Sequence, residues 1–295
     1  MRSSTRAPPP PEAPARTNWR ATPLIRGSVL LHAGAIGLAL VRPHLWPWAL
    51  SAVVADHLIL TAAGLTPRSR LLGPNVTRLP APPAASPSVA ITIDDGPDPE
   101  VTPRVLDLLD AHQAHATFFC IGERLARHAA LARDIVTRQH EVGNHSYRHL
   151  KRFSLLGPRG IADEIMRAQL AIAAVTGQTA RYFRAPAGLR NPFLEPVLAH
   201  ADLKLVSWTR RGFDTVNDNA ALVLGRLTRR LAAGDILLLH DGNAARTRDG
   251  APIILEVLPR LLAALKAAGL TPVTLSRGLK GTAAVAAACA PGAPV

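Results

Sequence analysis

Three short stretches carry side chains that could do chemistry together. In 91-ITIDDGPDPE-100 an apolar run ends in two adjacent carboxylates, Asp94 and Asp95, followed by Gly96-Pro97. Like charges side by side cost energy unless something solvates or uses them. The bland account is an acidic surface turn with a helix cap. In 143-GNHSYRH-149, His145 and His149 stand four apart, one face of a single helical turn if a helix begins near Asn144. Two neutral imidazoles so placed can grip one divalent ion. A carboxylate completes a facial set with positions open for water and substrate. An ion held there serves as Lewis acid and lowers the pKa of a bound water towards roughly 7.

Hydrolysis also needs a base for the water's proton and an acid for the leaving group. Adjacent strand-end carboxylates are expected to point to opposite sides, so one can bind metal while its neighbour serves as base. Arg184, in 181-RYFRAPAG-188, offers a bidentate fork to hold that base ionised and oriented. His240 ends the apolar run of 235-DILLLHDG-242, where an imidazole is either a satisfied core-edge group or an acid; in this company it reads as the acid. It needs a carboxylate to raise its pKa. Asp214, in 208-WTRRGFDT-215, is the candidate, and Asp241 is expected to face away.

These residues must be positioned by a scaffold. From Val89 onward, apolar strand-like runs (89–93, 115–121, 141–143, 181–183, 203–207, 235–239 and 272–275) alternate with amphipathic helical stretches (101–112, 123–138, 160–177, 219–234 and 253–269). That alternation predicts an α/β fold with parallel strands, closed as a barrel or open as a wound sheet. In either form chemistry sits at the carboxyl ends of the strands. Asp94 and Asp95 follow the first strand, His145 and His149 the third, Arg184 the fourth, Asp214 the fifth and His240 the sixth. A solvated-turn account does not predict that every suspect falls on one rim.

Ahead of this unit, residues 1–25 are rich in Arg, Pro and Ala and read as a disordered tail. Two apolar runs, 27–41 and 49–65, flank a connector holding Trp46 and Trp48, and residues 26–66 are expected to form a membrane-associated helical segment. Each run is shorter than the roughly 20 residues that comfortably span a bilayer, and the second carries Asp56 and His57. A hairpin of two short membrane helices, a single signal-anchor and a soluble helical extension all fit. Residues 67–88 read as a Pro-rich linker, 89–279 as the catalytic domain and 280–295 as a second disordered tail. The localisation expected is the bacterial inner membrane. The side stays open: five Arg before residue 27 and Arg68, Arg70 and Arg78 after the second run all favour the cytoplasm, so a hairpin leaves the barrel inside and a single anchor leaves it outside.

The formal charge of +13 looks like a nucleic-acid signal until it is located. Residues 1–26 carry five Arg against Glu12 and residues 27–89 four Arg against Asp56; the rest is dispersed among acids, with no basic run interleaved with aromatics. No nucleic-acid partner is therefore expected. The two cysteines, Cys120 in an apolar run and Cys289 in the tail, form neither a disulfide framework nor a Cys-x-x-Cys motif.

Taken together and in order, ITIDDGP, HSYRH, RAPAG and ILLLHDG resemble the motif series of the polysaccharide deacetylases, carbohydrate esterase family four with its NodB-homology domain, over residues 87–276. The resemblance implies a distorted (β/α)7 barrel, a single divalent ion (zinc first, cobalt, nickel or another transition ion in its place) and removal of an acyl group from a sugar. It implies Asp94 as general base, with Asp95, His145 and His149 holding the metal. It further implies Arg184 positioning Asp94, His240 as acid, and Pro186 and Gly188 shaping the groove. Trp208 and Asp214 stand where the family supplies a tryptophan and the aspartate behind the catalytic His, but in WTRRGFDT rather than as a compact Asp-Trp pair. The function expected is metal-dependent removal of N-acetyl groups from an amino-sugar glycan, peptidoglycan-like, chitooligosaccharide-like or lipid-linked, by a membrane-tethered hydrolase. The alternatives are a deformylase or deacetylase of a lipid-linked sugar at the membrane face, and a non-catalytic carbohydrate-binding relative.

Overall fold

Strand β1 (Ser88–Asp94) is buried from its second residue onward because both of its faces are covered. Val89, Ile91 and Ile93 face outward into the layer shared with the helices, among Val105, Leu109 and Leu258. Ala90 faces inward with Phe119, Ile236 and Leu238, and the two-residue period of a strand places Thr92 and Asp94 on that same inner face. The computed structural model describes residues 19–81 and 86–280. The tails expected at 1–25 and 280–295 lie largely outside those residues.

Around β1 the other strands pair in parallel: β2 (Thr117–Cys120), β3 (Glu141–Asn144), β4 (Tyr182–Phe183), β5 (Lys204–Leu205), β6 (Arg210–Arg211), β7 (Ile236–His240) and β8 (Thr271–Val273). Their order is β5-β4-β3-β2-β1-β7-β6, with β8 paired to the first residues of β1. Helices α3 (Thr102–Ala111), α4 (Gly122–Arg127), α5 (Ala129–Thr137), α6 (Pro158–Thr176), α7 (Leu194–His200), α8 (Ala220–Thr228) and α9 (Ile254–Ala267) cover the outside. This curled parallel sheet is the distorted (β/α)7 barrel that the alternation and the motifs imply.

Three local differences have physical causes. The expected helix over 123–138 is two helices, broken at His128, whose φ of −114° and ψ of 50° are not helical. The apolar stripe runs unbroken past the kink because both pieces bury it, through Leu125, Ala132 and Ile135. Strand β6 and helix α7 were too short to show a period. Residues 67–80, expected as linker, pack against the sheet. Val76 bridges Val206 in parallel, with Val76 N donating to Leu205 O at 2.9 Å and Ser207 N to Val76 O at 2.8 Å. Leu72 and Leu79 are buried.

Helices α1 (Pro23–Val41) and α2 (Trp46–Leu65) pack on each other as a hairpin, and each is long and apolar enough to cross a membrane. Helix α1 starts cleanly because Thr22 Oγ1 accepts from Ile25 N at 3.3 Å and Pro23 opens the first turn. Leu30, Leu40, Val41, Trp48 and Leu58 are exposed on the hairpin's outer surface. Its far end is docked: Arg190 N donates to Gly64 O at 3.1 Å, and a Cβ on Gly64 would lie 2.2 Å from Arg190 O.

That contact gives a test with an unusual sign. Alanine in place of a helical glycine stabilises an isolated helix by about 0.5–1 kcal/mol. Here Gly64→Ala drives a methyl into the Arg190 carbonyl, so the hairpin is expected to separate from the barrel. Trypsin should cut faster at Arg68 and Arg70 than in the wild type, whereas Gly34→Ala, which meets nothing within 4 Å, should leave the rate unchanged.

Candidate active site

The register of the sheet sets the first two groups. Asp94 and His240 are Cα partners at the carboxyl ends of β1 and β7, and both continue the inward-facing set of their strands. Asp95 is one residue past the strand with φ of 76°, in the left-handed region that Asp tolerates better than most residues. That turn overrides the expectation that the two carboxylates face apart. Both look at one imidazole: His145 Nε2 lies 3.2 Å from Asp95 Oδ1 and 3.8 Å from Asp94 Oδ2.

His145 and His149 do meet, but no helical turn brings them together. The chain after β3 is an irregular loop in which Ser146 and His149 take φ of 61° and 53°. The loop is held by side chains. Asn144 Oδ1 accepts from Ser146 N at 3.0 Å, Ser146 Oγ from His149 N at 3.1 Å, and buried Glu164 from Arg148 N at 2.9 Å. His145 Nδ1–H donates to the carbonyl of Arg184 at 2.8 Å; that carbonyl can only accept, so Nε2 carries a lone pair into the pocket. His149 Nε2 stands 3.3 Å from Asp95 Oδ1. Asp95 Oδ1 is buried and has no hydrogen-bond partner, while Oδ2 accepts from Asn243 Nδ2 at 3.0 Å. A buried carboxylate oxygen left without a donor between two imidazole nitrogens is a fit for a cation.

The electrostatics agree. Burial works to raise the Asp95 carboxyl, but the imidazoles of His145, His149 and His240 beside it hold it far below the usual carboxylate range. Burial, with His145 beside it, pushes His149 down to about 4, so it is neutral with its lone pair available. His145 is drawn upward against its burial by Asp94 and Asp95. The two carboxylates ask for positive charge between them.

Arg184 is 1 % exposed. It donates from Nη1 to Asp94 Oδ1 at 2.6 Å and to Thr92 Oγ1 at 2.8 Å, from Nε to Val206 O at 3.2 Å and from Nη2 to Ser207 O at 2.9 Å. On the other side Asp214 takes two bonds from one residue: His240 N donates to Oδ2 at 2.7 Å and His240 Nδ1–H to Oδ1 at 2.9 Å. Burial opposes charge on His240, yet the Asp214 bond raises its pKa above the ordinary value. Asp241 turns away as expected, accepts from the Thr102 hydroxyl, and is pushed up to about 7 by burial. Asp94, Asp95, His145, His149 and His240 line a cavity of about 610 Å³ that also takes in Gly188 and Trp208. Gly188, at φ of 74°, leaves no room for a Cβ between Trp208 and Pro67, while Pro186 is buried behind it.

With this geometry in view, comparison with known proteins is decisive. The polysaccharide deacetylase family matches residues 81–206. A peptidoglycan-N-acetylglucosamine deacetylase of Bacillus cereus is 34% identical over 194 residues, 65% of this chain and 88% of that protein. The chain belongs to the polysaccharide deacetylase family. It is a hydrolase of the polysaccharide deacetylase type, acting on carbon–nitrogen bonds other than peptide bonds. A chitooligosaccharide deacetylase of Bradyrhizobium sp. is 36% identical over 156 residues, 52% of this chain and 71% of that one. Among solved structures, a carbohydrate esterase family four pseudoenzyme from Bacillus anthracis superposes with a TM-score of 0.62 at 26% identity, covering 70% of this chain and 68% of that one.

Four polar groups of this polysaccharide deacetylase escaped the sequence reading. Thr92 and Asn243 contact Arg184 and Asp95 directly. Parity along β1 would have found Thr92, which shares the inner face with Asp94. Arg124 donates to Asp95 O at 2.9 Å and to Asn243 Oδ1 at 2.9 Å. Arg211 lies over the Trp208 ring, 5.3 Å from its centroid. Nothing in the spacing of either arginine marks it.

Buried charge makes Arg184 testable apart from catalysis. Arg184→Met strands Asp94 without its cation, and the expected loss of stability is about 3–5 kcal/mol by denaturant unfolding. Adding Asp94→Asn should recover part of that loss. Equal destabilisation in the single and double variants would contradict the pairing.

Proposed function

We propose that this polysaccharide deacetylase removes N-acetyl groups from an amino-sugar glycan by metal-dependent hydrolysis at a bacterial inner membrane. The observation that carries it is the partnerless Asp95 Oδ1 between the Nε2 atoms of His145 and His149, at 3.2 and 3.3 Å. These three residues would hold a divalent ion, zinc first among the transition ions, whose nitrogen and oxygen donor set suits that class. Bound there, it would supply Lewis-acid polarisation to the acyl carbonyl and the attacking water.

The remaining roles belong to the chain's own side chains. Arg184 holds Asp94 through Oδ1 and leaves Oδ2 to take the proton of the water as general base. His240, fixed through N and Nδ1 by Asp214, presents Nε2 to give a proton to the sugar nitrogen as it leaves. Gly188 and Trp208 form the wall against which the sugar ring lies, with Pro186 buried behind them. Base, acid and ligands all converge, which disfavours a non-catalytic, carbohydrate-binding role. The relatives named above act on peptidoglycan N-acetylglucosamine and on chitooligosaccharides, which supports an N-acetylated glycan here.

Helices α1 and α2 are read as the membrane anchor, with residues 19–66 helical or flanking and the barrel beginning after Pro87. One contact favours a second reading, a deformylase or deacetylase of a lipid-linked sugar. Pro67, two residues beyond α2, packs over Gly188 beside Trp208, so the groove opens where the hairpin ends.

The test is acyl release from chitooligosaccharides, peptidoglycan and a lipid-linked N-acetylglucosamine, with and without chelator. His145→Ala and Asp95→Asn are expected to lose one equivalent of metal and activity together, and Asp94→Asn to lose activity while keeping metal. Retention of that equivalent in His145→Ala overturns the ligand assignment.

The acid side has its own signature. The His240 pKa is raised, so its protonated, donating form persists to higher pH than an ordinary imidazole would allow. Loss of His240's proton sets the alkaline limb, and Asp214→Asn should move that limb to lower pH with metal content unchanged. The rate loss should be smaller than in His240→Ala, because a positioned general acid contributes about 10²–10⁴-fold and its orienting partner only part of that. An unmoved limb with lowered Tm would leave Asp214 a structural cap.

A further inference from the structure

We propose that the helical hairpin carries a second divalent transition-metal site, built by His32, Asp56 and His57. Midway along α1 and α2, in segments otherwise almost wholly apolar, these side chains meet across the helix pair. Their three donor atoms lie within 4.8 Å of one another. His32 Nε2 is 3.1 Å from His57 Nε2, and Ser28 Oγ donates to Asp56 Oδ2 at 2.7 Å.

The hydrogen bonding sets the direction of the lone pairs. His32 Nδ1 is 2.8 Å from the carbonyl of Ser28, four residues back, and can only donate to it. A ring whose single proton sits on Nδ1 turns an unprotonated Nε2 towards His57. This is the arrangement His145 shows in the barrel, where Nδ1–H is spent on the Arg184 carbonyl and Nε2 is left for a cation. Imidazole ligands of metals are oriented in this way.

Charge points the same way. Asp56 is 6 % exposed between apolar helices, and among the described residues no Lys or Arg pairs with it; His32 Nδ1 stands 3.9 Å away. A carboxylate buried in such surroundings needs a compensating cation. The spacing suits one. An ion about 2.1 Å from each imidazole nitrogen, the usual metal–nitrogen length, would subtend about 95° at a nitrogen separation of 3.1 Å. In the barrel the imidazole nitrogens of His145 and His149 stand 3.2 and 3.3 Å from the Asp95 carboxylate, donor separations of similar size. His57 is exposed, so the far side of the site remains open to further ligands.

The decisive experiment uses the full chain, untagged and in detergent, stripped of metal and titrated with zinc. In a His145→Ala/His149→Ala background, one equivalent is expected to bind, and adding His32→Ala/His57→Ala should remove it. Ser28→Ala in that background removes the hydroxyl that orients Asp56 and should weaken zinc by about 10–100-fold. His57→Ala with the barrel site intact should hold one equivalent and keep its hydrolytic activity in detergent, which shows that the variant is folded. Absence of stoichiometric zinc in the background variant overturns the proposal, leaving a proton shared between the imidazoles as a clasp between the helices. So does zinc that binds equally well after His32 and His57 are replaced.

Discussion

One buried guanidinium organises the whole site. Arg184 reaches across the inside of the barrel to Asp94 and Thr92 on β1, to Val206 and Ser207 beyond β5, and stacks over the Phe119 ring of β2 at 4.2 Å. Its own carbonyl orients His145. Desolvating an arginine is expensive, and the cost is met here by four acceptors and an aromatic face. Because these acceptors come from opposite sides of a curled sheet, the guanidinium works as a strut: it can make its bonds only if the barrel has closed correctly. Carboxylate, imidazole and sheet curvature are thus coupled through one side chain.

The two halves of the site are built on different principles. Asp94 and His240 sit on strands, their positions set by backbone pairing. His145 and His149 sit on a loop whose backbone N–H groups are held by the side chains of Asn144, Ser146 and Glu164, and Asp95 on a turn held by Arg124 and Asn243. Rigid placement suits the groups proposed to move protons over short distances. The turn-borne groups gain their rigidity from the hydrogen bonds behind them, and a bound cation would add to it.

The strand-borne groups were legible because alternation along a strand is periodic and needs only local sequence. Asp94 and His240 each extend an alternating apolar series, and their place on the rim could be read directly. The turn-borne geometry was not legible. A spacing of four suggested a helical turn for His145 and His149, but Asn144 and Ser146 satisfy the backbone in a loop instead. Asp95 was expected to point away from Asp94 because strand parity was carried one residue too far; its φ of 76° ends the strand and brings the side chain back. Val76 was read as linker because a single bridging residue leaves no pattern. In the hairpin, Asp56 and His57 stood out as costly, whereas Ser28 and His32 acquire meaning only when the two helices are laid side by side.

Pairing of Asp94 with His240 as neighbours in a parallel ladder makes their separation a property of the sheet lattice. Adjacent strands lie about 4.8 Å apart wherever they are hydrogen-bonded, whatever the loops above them do. A rim segment around the mouth such as 186–191 can therefore be lengthened or recharged without altering the gauge between the two groups. The mouth can thus be reshaped over evolution while the distance between these two side chains stays constant.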